Sequence, residues 1–478
     1  MKKIFLAALV LFLSSIFVFT AQAGIHPVTW TTSITETGFF DINAVAIDVP
    51  GNIFVTGTAV FYSGAPGTSQ DTFVAKYSSA GKEVWRRYYS TTTWDGGNGV
   101  ALDSAGNVYV TGYANTTSLW MRKYDTNGNI LWTDTTRVSS KGFGICIDKT
   151  DNIYTIGTTS GGAFIDKYTS AGAFTRGTTI STVGVPSYSG VQKMGIAVDT
   201  AGTYIYATAG IPTGFTGSNL WSGKFDATNL SIIWNKTLSV DNGSFGSGIA
   251  VDSAGDLYIA GYAPGVGSDG NLLLGKYSGS DCSQIWKKNQ AKILAQGITL
   301  FNGHLLITGT QDGFLWLNDC DTAGTTLAEQ IYTYKGKVAS DSGYGITTDS
   351  TGNILVVGQV DYYSFLEKFG ADITVTQAGN SGYFKIVGGK DGYVNPSKSE
   401  TSNFLYKATE AGTITFKVYN SRGNLCRTVS SIATGPLQVD SFVFDCRNDA
   451  GEFLASGIYM VKAEGPGVAI VKKIAILK

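Results

Sequence analysis

The sequence predicts an all-β protein, in which a seven-bladed β-propeller is followed by a small antiparallel β-sandwich. The propeller is predicted by a phrase that occurs seven times, most clearly as GVALDSAGNVYVTGY (Gly99–Tyr113) and GIAVDSAGDLYIAGY (Gly248–Tyr262). Weaker copies start near Ala44, Gly144, Gly195, Gly297 and Gly345. The spacing of equivalent glycines runs from 45 residues (Gly112 to Gly157) to 55 residues (Gly57 to Gly112), the length of one propeller blade.

A single copy shows why each repeat should be a four-stranded sheet. In the fifth copy, Gly248–Asp252 is a short apolar run that suits an inner strand, and a Gly-containing turn separates it from Leu257–Tyr262. Leu272–Tyr277 and Gln284–Lys288 provide two further strands. The fourth strand carries an aromatic residue that can pack against the next blade, and it recurs around Trp85, Trp132, Trp234 and Trp286.

The N-terminus is predicted to complete the last blade. The seventh copy contains three strands and ends at Phe369, where the repeat pattern stops. The missing fourth strand is available at Val28–Ile34, which carries its own Trp30. Pairing of this segment with the last blade would remove an open sheet edge, which would otherwise favour aggregation.

The repeated pattern resembles the bacterial β-propeller repeats of the SBBP type. The matching features are D-x-x-G-N, V-Y-V-T-G and F-V-A-K-Y-x-x-x-G-x-x-x-W, over roughly residues 28–370. The resemblance implies a propeller over residues 24–370. It implies no activity, because propellers carry many unrelated functions.

Residues 1–23 have the pattern of a secretory signal peptide. Lys2 and Lys3 precede the apolar run Ile4–Thr20, and Ala21–Ala23 is a small-x-small cleavage site. Cleavage removes two lysines from 35 basic residues and none of the 36 acids, so the mature net charge is −3. This balance indicates neither nucleic acid nor an anionic membrane as a partner. We expect a secreted or cell-surface monomer that crosses the periplasm and has no membrane span after cleavage.

The segment 371–478 is predicted to be the sandwich. Alternating strands such as Thr413–Tyr419 and Val468–Lys478 are separated by Gly/Asn turns. The pieces VYNSRGN, FDCRNDAGEFLASGIYMV and KKIAILK resemble the Ig-like domain family of the flagellar hook cap. Related terminal domains serve sorting or surface attachment, notably in type IX secretion. The chain departs from this family at Phe444–Cys446, where the family usually has an aromatic residue, Asp and Gly.

The five cysteines lead to two disulfide predictions, because an exported chain is expected to allow such bonds. Cys426 and Cys446 stand where the resembled family usually has other residues, and both are expected on strands of one sandwich. We therefore predict a bond between them. Cys282 and Cys320 form a second, weaker candidate pair in turn regions of consecutive blades.

The sequence predicts no catalytic residue, metal site or cofactor. There are two histidines, His26 and His304, with no pair at metal-ligand spacing and no Cys-x-x-Cys. The recurring Asp of D-x-x-G supplies too few oxygens for calcium, which takes six to eight. We interpret it as an Asx-type turn residue.

The ligand-binding candidates lie on the longer loops of one propeller face. Aromatic side chains among small polar residues are typical of platforms for a glycan or peptide, although they can also fold back onto blade edges. A set of acids that precedes the inner strands could surround one channel mouth, or could bind backbone N–H groups in its own loops. The candidates are Tyr62, Trp94, Tyr188, Phe215 and Phe245, with Asp41, Asp95, Asp241 and Asp341 as the acids.

Three functions follow from these observations. The first is an exported, non-catalytic binding or scaffold protein for an extracellular glycan or protein, attached through its C-terminal domain. The second is a polysaccharide lyase that uses Tyr and Arg in place of His. The third is a structural surface-layer component. Acids that converge with Tyr and Arg at the channel mouth would favour the enzyme, and a wide uncharged aromatic face would favour binding.

Overall fold

The fold was analysed in a computed structural model. The described residues are 26, 28–34, 38–61, 70–181, 183, 194–212, 218–238, 244–263, 270–332, 341–360, 363–370, 383–387, 394–398, 400–420, 424–434 and 439–478. Within them the chain is all-β, and its single helical turn is a 3₁₀ segment at Pro396–Lys398. No helix in this part of the chain is long and apolar enough to cross a membrane.

The described strands before residue 370 form seven four-stranded antiparallel sheets, an architecture of the β-propeller type. We number these sheets as blades 1 to 7 in chain order. Blade 1 contains β2 (Gly38–Ile47), β3 (Ile53–Phe61), β4 (Gln70–Tyr77) and β5 (Glu83–Tyr89). Blade 2 contains β6 (Gly96–Leu102), β7 (Val108–Ala114), β8 (Ser118–Tyr124) and β9 (Ile130–Asp134). Blade 3 contains β10 (Ser140–Ile147), β11 (Ile153–Thr159), β12 (Gly162–Tyr168) and β13 (Phe174–Ile180). Blade 4 contains β14 (Gly195–Val198), β15 (Tyr204–Pro212), β16 (Ser218–Asp226) and β17 (Ile232–Leu238). Blade 5 contains β18 (Phe245–Val251), β19 (Leu257–Ala263), β20 (Asn271–Tyr277) and β21 (Gln284–Ala291). Blade 6 contains β22 (Ile293–Phe301), β23 (His304–Gln311), β24 (Phe314–Asp321) and β25 (Thr326–Tyr332).

Blade 7 combines the two ends of this region. Its strands are β26 (Ser342–Thr348), β27 (Ile354–Val360), β28 (Tyr363–Phe369) and the N-terminal strand β1 (Val28–Ile34). Strand β1 runs antiparallel to β28, with Ile34 opposite Ser364 and Val28 opposite Phe369. This pairing matches the strand count in the sequence. The first strands of successive blades also contact one another in a closed series, from β2 through β6, β10, β14, β18 and β22 to β26 and back to β2.

A β-bulge in the first strand explains the recurring glycine of the second strand. In blade 2 the register shifts between Gly97 and Gly99, which leaves Asn98 as the extra residue. The bulge brings the carbonyl oxygen of Gly96 so close to Gly112 that any Cβ at Gly112 would overlap it. The same overlap occurs at Gly57, Gly157, Gly261, Gly309 and Gly358. The glycine recurs in the sequence because the same bulge recurs in the structure.

The turns with the pattern D-x-x-G behave as Asx turns, as predicted. Asp103 Oδ1 accepts hydrogen bonds from the backbone N–H groups of Ala105 (3.0 Å) and Asn107 (2.8 Å), and its Oδ2 accepts from Tyr109 Oη (2.9 Å). Lys123 Nζ lies 3.1 Å from the same carboxylate. Although burial opposes the shift, the hydrogen bonds from Asn107, Tyr109 and Lys123 lower the pKa of Asp103. All of these partners belong to blade 2, so the hydrogen bonds of the carboxylate are satisfied within its own blade.

Neighbouring blades are joined through backbone carbonyls in the turn between the third and fourth strands. Trp85 Nε1 and Lys76 Nζ of blade 1 both donate to Thr126 O of blade 2, at 3.1 Å each. In the same way, Trp132 and Lys123 donate to Ser170 O of blade 3. The Lys and Trp that recur in the sequence therefore hold blades together.

The described residues after 382 form two antiparallel sheets that share one hydrophobic core. One sheet has the order β29, β30, β33, and the other has the order β32, β31, β34, β35. Phe404 stacks on Phe444 with ring centroids 4.9 Å apart, and Phe416 packs between the sheets. The strands are β29 (Tyr383–Val387), β30 (Ser402–Lys407), β31 (Gly412–Tyr419), β32 (Leu425–Ala433), β33 (Val439–Phe444), β34 (Gly457–Gly465) and β35 (Val468–Ile476).

Neither predicted disulfide is present, since all five cysteines are free thiols. Cys446 is fully buried in the sandwich core, whereas Cys426 only borders that core and lies on β32 of the other sheet. Cys282 and Cys320 pack in two separate hydrophobic clusters. Cys320 also lies within strand β24, and the turn location predicted for it is wrong. Burial raises the pKa of both the Cys282 and Cys320 thiols to about 12.

Candidate ligand site in the central channel

The residues at the bulges link the blades around the central channel. These bulge residues are Asn43, Asn98, Phe143, Ser247, Gln296 and Tyr344, and Met194 stands at the equivalent position just before the first strand of blade 4. Three of them donate a hydrogen bond to a backbone carbonyl of the next blade: Asn43 to Gly97 (2.9 Å), Asn98 to Gly142 (2.7 Å) and Ser247 to Ala295 (2.8 Å). Most of the polar bulge residues are therefore occupied by contacts within the protein.

Gln296 is the exception, because one of its polar atoms has no partner. The residue is only 6% exposed, and its Nε2 donates to Ser342 Oγ at 2.9 Å. Its Oε1 is buried without a hydrogen-bond partner and the side chain lines the channel cavity. Reversing the amide would leave Nε2 in the same situation. In either orientation one buried polar atom in the cavity wall lacks a hydrogen bond, which costs about 1–3 kcal/mol.

Two opposite charges lie nearer the mouth of the channel. Asp41 and Lys141 both stand two residues before a bulge residue, in blades 1 and 3. The equivalent residues of the other described blades are uncharged: Gly96, Phe245, Leu294 and Ser342. Since strands of successive blades run in the same sense, the two charges lie at the same level of the channel.

Asp41 belongs to a chain of hydrogen bonds in the cavity wall. Gln359 Nε2 donates to Asp41 Oδ1 at 3.1 Å, and Tyr344 Oη donates to Gln359 Oε1 at 3.3 Å. The Asp41 side chain is exposed to the cavity, but protein surrounds it closely enough that burial raises the pKa of its carboxyl group. Its charge has no basic partner among the described residues.

Lys141 faces the same cavity from blade 3. Its ammonium group lies 4.5 Å from the centroid of the Tyr113 ring, and burial lowers the pKa of this lysine. No described carboxylate forms an ion pair with it. Burial also raises the pKa of Tyr113, with a smaller contribution from Asp95 and Asp41. The mouth therefore combines the carboxylate of Asp41, the ammonium group of Lys141 and the phenol hydroxyl groups of Tyr113 and Tyr344.

The deeper wall of the cavity is aliphatic. Each blade contributes one branched side chain two residues after its bulge: Val45, Val100, Ile145, Ile196, Ile249, Ile298 and Ile346. The cavity has a volume of about 560 Å³, within the usual range of small-ligand sites. A ligand that enters here meets polar and charged groups first and an apolar ring below them.

The residues predicted as ligand-binding candidates are distributed differently. Trp94 is 54% exposed and remains a candidate. The expectation for Phe245 is wrong, because it begins strand β18, is 9% exposed and stacks on Tyr262 at 5.4 Å. The remaining candidates Tyr62, Tyr188, Phe215 and Asp241 lie outside the described residues.

Of the three described acids of the predicted mouth ring, Asp41 faces the cavity, whereas Asp95 and Asp341 are buried. Asp95 is fully buried and accepts hydrogen bonds from Thr91 Oγ1, Thr91 N and Asn115 N at 2.6 to 2.9 Å. It organises its own loop, which is the alternative that the sequence left open. Asp341 is 1% exposed at the start of blade 7, where its N–H donates to Gly313 O. Neither acid presents its carboxylate to a ligand.

Sequence reasoning missed Lys141, Gln296, Gln359 and the inward orientation of Tyr113 and Tyr344. A signal was available, because the aligned repeats carry opposite charges at one equivalent position in blades 1 and 3. The predicted candidates were instead aromatics in long loops, together with acids. The bulge that turns these side chains into the channel is not visible in a single copy.

Comparison with protein-family models finds a match to part of the propeller region. The sequence model of the SBBP β-propeller repeat matches residues 84–119, which run from β5 of blade 1 into β8 of blade 2. Comparison with the sequences of curated proteins gives no match.

Several solved structures are similar at low sequence identity. PorZ of Porphyromonas gingivalis, a surface component of the type IX secretion system, is 13% identical with a TM-score of 0.46, over 90% of this chain and 58% of PorZ. This chain thus spans little more than half the length of PorZ. Virginiamycin B lyase of Staphylococcus aureus is 12% identical with a TM-score of 0.45, over 71% of this chain and 98% of the lyase. A protein of unknown function from Bacteroides caccae is 14% identical with a TM-score of 0.37, over 54% and 90% of the two chains.

Proposed function

We propose that this protein is an exported, non-catalytic binding protein of the cell surface, whose propeller binds a glycan or a peptide at the mouth of its central channel. The observation that carries this proposal is the 560 Å³ cavity whose wall contains Asp41, Lys141 and Gln296, the last with one amide atom that lacks a hydrogen bond. Buried polar atoms are normally satisfied within the protein. Groups left available in a concave site are the kind that a ligand uses.

Binding is favoured over polysaccharide cleavage by the chemistry of the cavity. A lyase needs a base whose pKa lies near the working pH. Burial and the nearby Asp41 raise the pKa of Tyr344 to about 12, and the pKa of Tyr113 is also raised, so both phenols stay protonated at neutral pH. The described residues that line the cavity include no arginine and no histidine.

The two parts of the chain have separate roles in this proposal. Residues 24–370 form a seven-bladed propeller that presents the ligand site. Residues 371–478 form an Ig-like sandwich that serves sorting or surface attachment, and residues 1–23 direct export. Support comes from the closed series of blade contacts, the shared core of the two C-terminal sheets and the sequence resemblance of their strands.

A binding screen tests the proposal directly. Residues 24–478 would be mixed with peptidoglycan fragments, neutral oligosaccharides and short peptides, and binding would be read by saturation-transfer NMR. We expect Gln296→Leu and Trp94→Ala to weaken binding of any hit, while Lys149→Met, an exposed change in a D-x-x-x turn at the other end of the strands, leaves it unchanged. Binding that depends on Lys149 but not on Gln296, or shortened glycan products in mass spectra, would contradict the proposal.

A further inference from the structure

We propose that the channel mouth selects a zwitterion with an aliphatic side chain, of the class of a free α-amino acid or a short peptide. The ammonium group of the ligand lies at Asp41, its carboxylate lies at Lys141, and its side chain points toward the aliphatic ring. This inference rests on the proposed function and names the chemistry of the ligand. Its first support is position, because one level of the channel carries one negative and one positive side chain and no other charge from the described blades.

The second support is electrostatic. Asp41 and Lys141 form no ion pair with each other or with any other described residue, and both face the same cavity. Burial disfavours the charged form of each, as the raised pKa of Asp41 and the lowered pKa of Lys141 indicate. A ligand with both charges compensates both groups. A ligand with one charge compensates only one of them, and a neutral sugar compensates neither.

The third support is the order of surfaces along the channel. Val45 lies four residues after Asp41 on the same strand, so the aliphatic ring lies roughly 10 Å below the charges at about 3.3 Å per residue less the bulge. A leucine side chain, which reaches roughly 4 Å beyond its Cα, covers part of that depth, and a dipeptide covers more of it. Gln296 lies between the two levels in the wall of the cavity. The apolar ring adds affinity for a branched side chain in proportion to the area it buries.

The experiment uses the whole mature protein and a matched ligand series. Isothermal titration calorimetry would compare L-leucine, L-leucyl-L-leucine, N-acetyl-leucine, leucinamide, glycine and a neutral oligosaccharide. We expect leucine or the dipeptide to bind at least about tenfold more tightly than the acetylated, amidated and glycine analogues, since each analogue loses one charge or the side chain. The comparison of leucine with the dipeptide distinguishes a free amino acid from a peptide as the source of the zwitterion.

Two variants assign the charges to their residues. Asp41→Asn should reduce binding of leucine and leucinamide but leave N-acetyl-leucine unchanged. Lys141→Met should reduce binding of leucine and N-acetyl-leucine but leave leucinamide unchanged, with Lys149→Met as the control. If a neutral oligosaccharide binds and the charged analogues do not discriminate, the proposed function stands and this inference is overturned. If no glycan or peptide binds at all, both are overturned, and the ligand series separates these outcomes even if a variant fails to fold.

Discussion

The contact between blades 1 and 2 and the contact that closes the ring at blade 7 use the same chemistry but differ in how the chain supplies it. Between blades 1 and 2, Trp85 is 8% exposed and donates to Thr126 O, and the chain passes directly from one blade to the next. At the closure, Trp30 packs against Gly81 of blade 1, where a Cβ would lie 2.7 Å from the Trp30 ring. Thr32 Oγ1 donates to Gly81 O at 2.9 Å. The closing strand thus imitates an ordinary fourth strand.

The difference is that the closing strand needs an additional attachment. His26, which is 2% exposed, has its Nε2 3.5 Å from the buried Asp319, and Tyr332 Oη donates to His26 O at 2.8 Å. His304 Nδ1 lies 3.0 Å from the same carboxylate. Both histidines of the chain therefore meet one aspartate in blade 6. A strand that lies more than 300 residues away in sequence loses much conformational entropy when it docks, and these contacts offset part of that cost.

The largest effect should follow from removing the closing strand. Deletion of residues 24–36 exposes the edge of β28 and removes the Trp30 contact with blade 1. We expect a loss of several kcal/mol in the free energy of unfolding, because the deletion removes a whole strand together with the partly buried Trp30, and we expect aggregation through the open edge. Size-exclusion chromatography and thermal unfolding measure both. A monomeric deletion variant with unchanged melting temperature would show that the closure is dispensable.

Substituting the two equivalent tryptophans compares the contacts directly. Trp85→Ala should cost about 3–4 kcal/mol, because it leaves a cavity and removes one of the two hydrogen bonds to Thr126 O. Trp30→Ala should cost less, since Trp30 is only partly buried, but it should accelerate proteolysis at the N-terminus more than Trp85→Ala does. Urea unfolding and limited proteolysis provide the two measurements. Equal protease sensitivity in the two variants would contradict the distinction.

A further prediction concerns how the free energy of unfolding changes at acidic pH. Burial alone would raise the pKa of Asp319, but hydrogen bonds from His26 and His304 lower it below its ordinary value. Because the folded pKa is depressed, the stabilisation is present above the unfolded pKa of about 3.9 and is lost as the pH falls through the lower folded value. Asp319→Asn should therefore flatten the acid limb of the stability curve below about pH 4, as measured by urea unfolding across a pH series. An acid limb as steep as that of the unsubstituted protein would contradict this assignment.

His26→Ala and His304→Ala separate the closure from blade 6 itself. Each should cost about 1 kcal/mol at neutral pH, through loss of a contact with a charged group. Only His26→Ala should also release the N-terminus, as measured by hydrogen exchange of strand β1. Equal exchange of β1 in the two variants would indicate that the cluster stabilises blade 6 rather than the closure.

The sequence predicted the blades well because their repeated residues answer to local geometry. Gly112 leaves room for the bulge, Asp103 accepts hydrogen bonds within its turn, and Trp85 donates a hydrogen bond to the next blade. The same three roles recur from one copy of the repeat to another. The site was harder to predict, because Lys141 and Gln296 lie far apart in the sequence and line one cavity only when the first strands of the blades surround the channel. Phe245 was misplaced because strand β18 already begins at this residue, where its ring stacks on Tyr262 of the neighbouring strand. The disulfide between Cys426 and Cys446 was inferred from the departure of both positions from the resembled family, and that departure does not indicate whether the two thiols face each other.

The hydrogen bonds between blades have a consequence for how such a protein can grow. Their acceptors are main-chain carbonyls at the second residue of the turn, provided by Thr126, Ser170, Ala227, Gly279 and Thr322. Any amino acid supplies that acceptor, so a duplicated blade can form these hydrogen bonds with either neighbour. The side chains that must still match between adjoining blades are those of the apolar clusters, such as Phe54 of blade 1 with Val108 of blade 2.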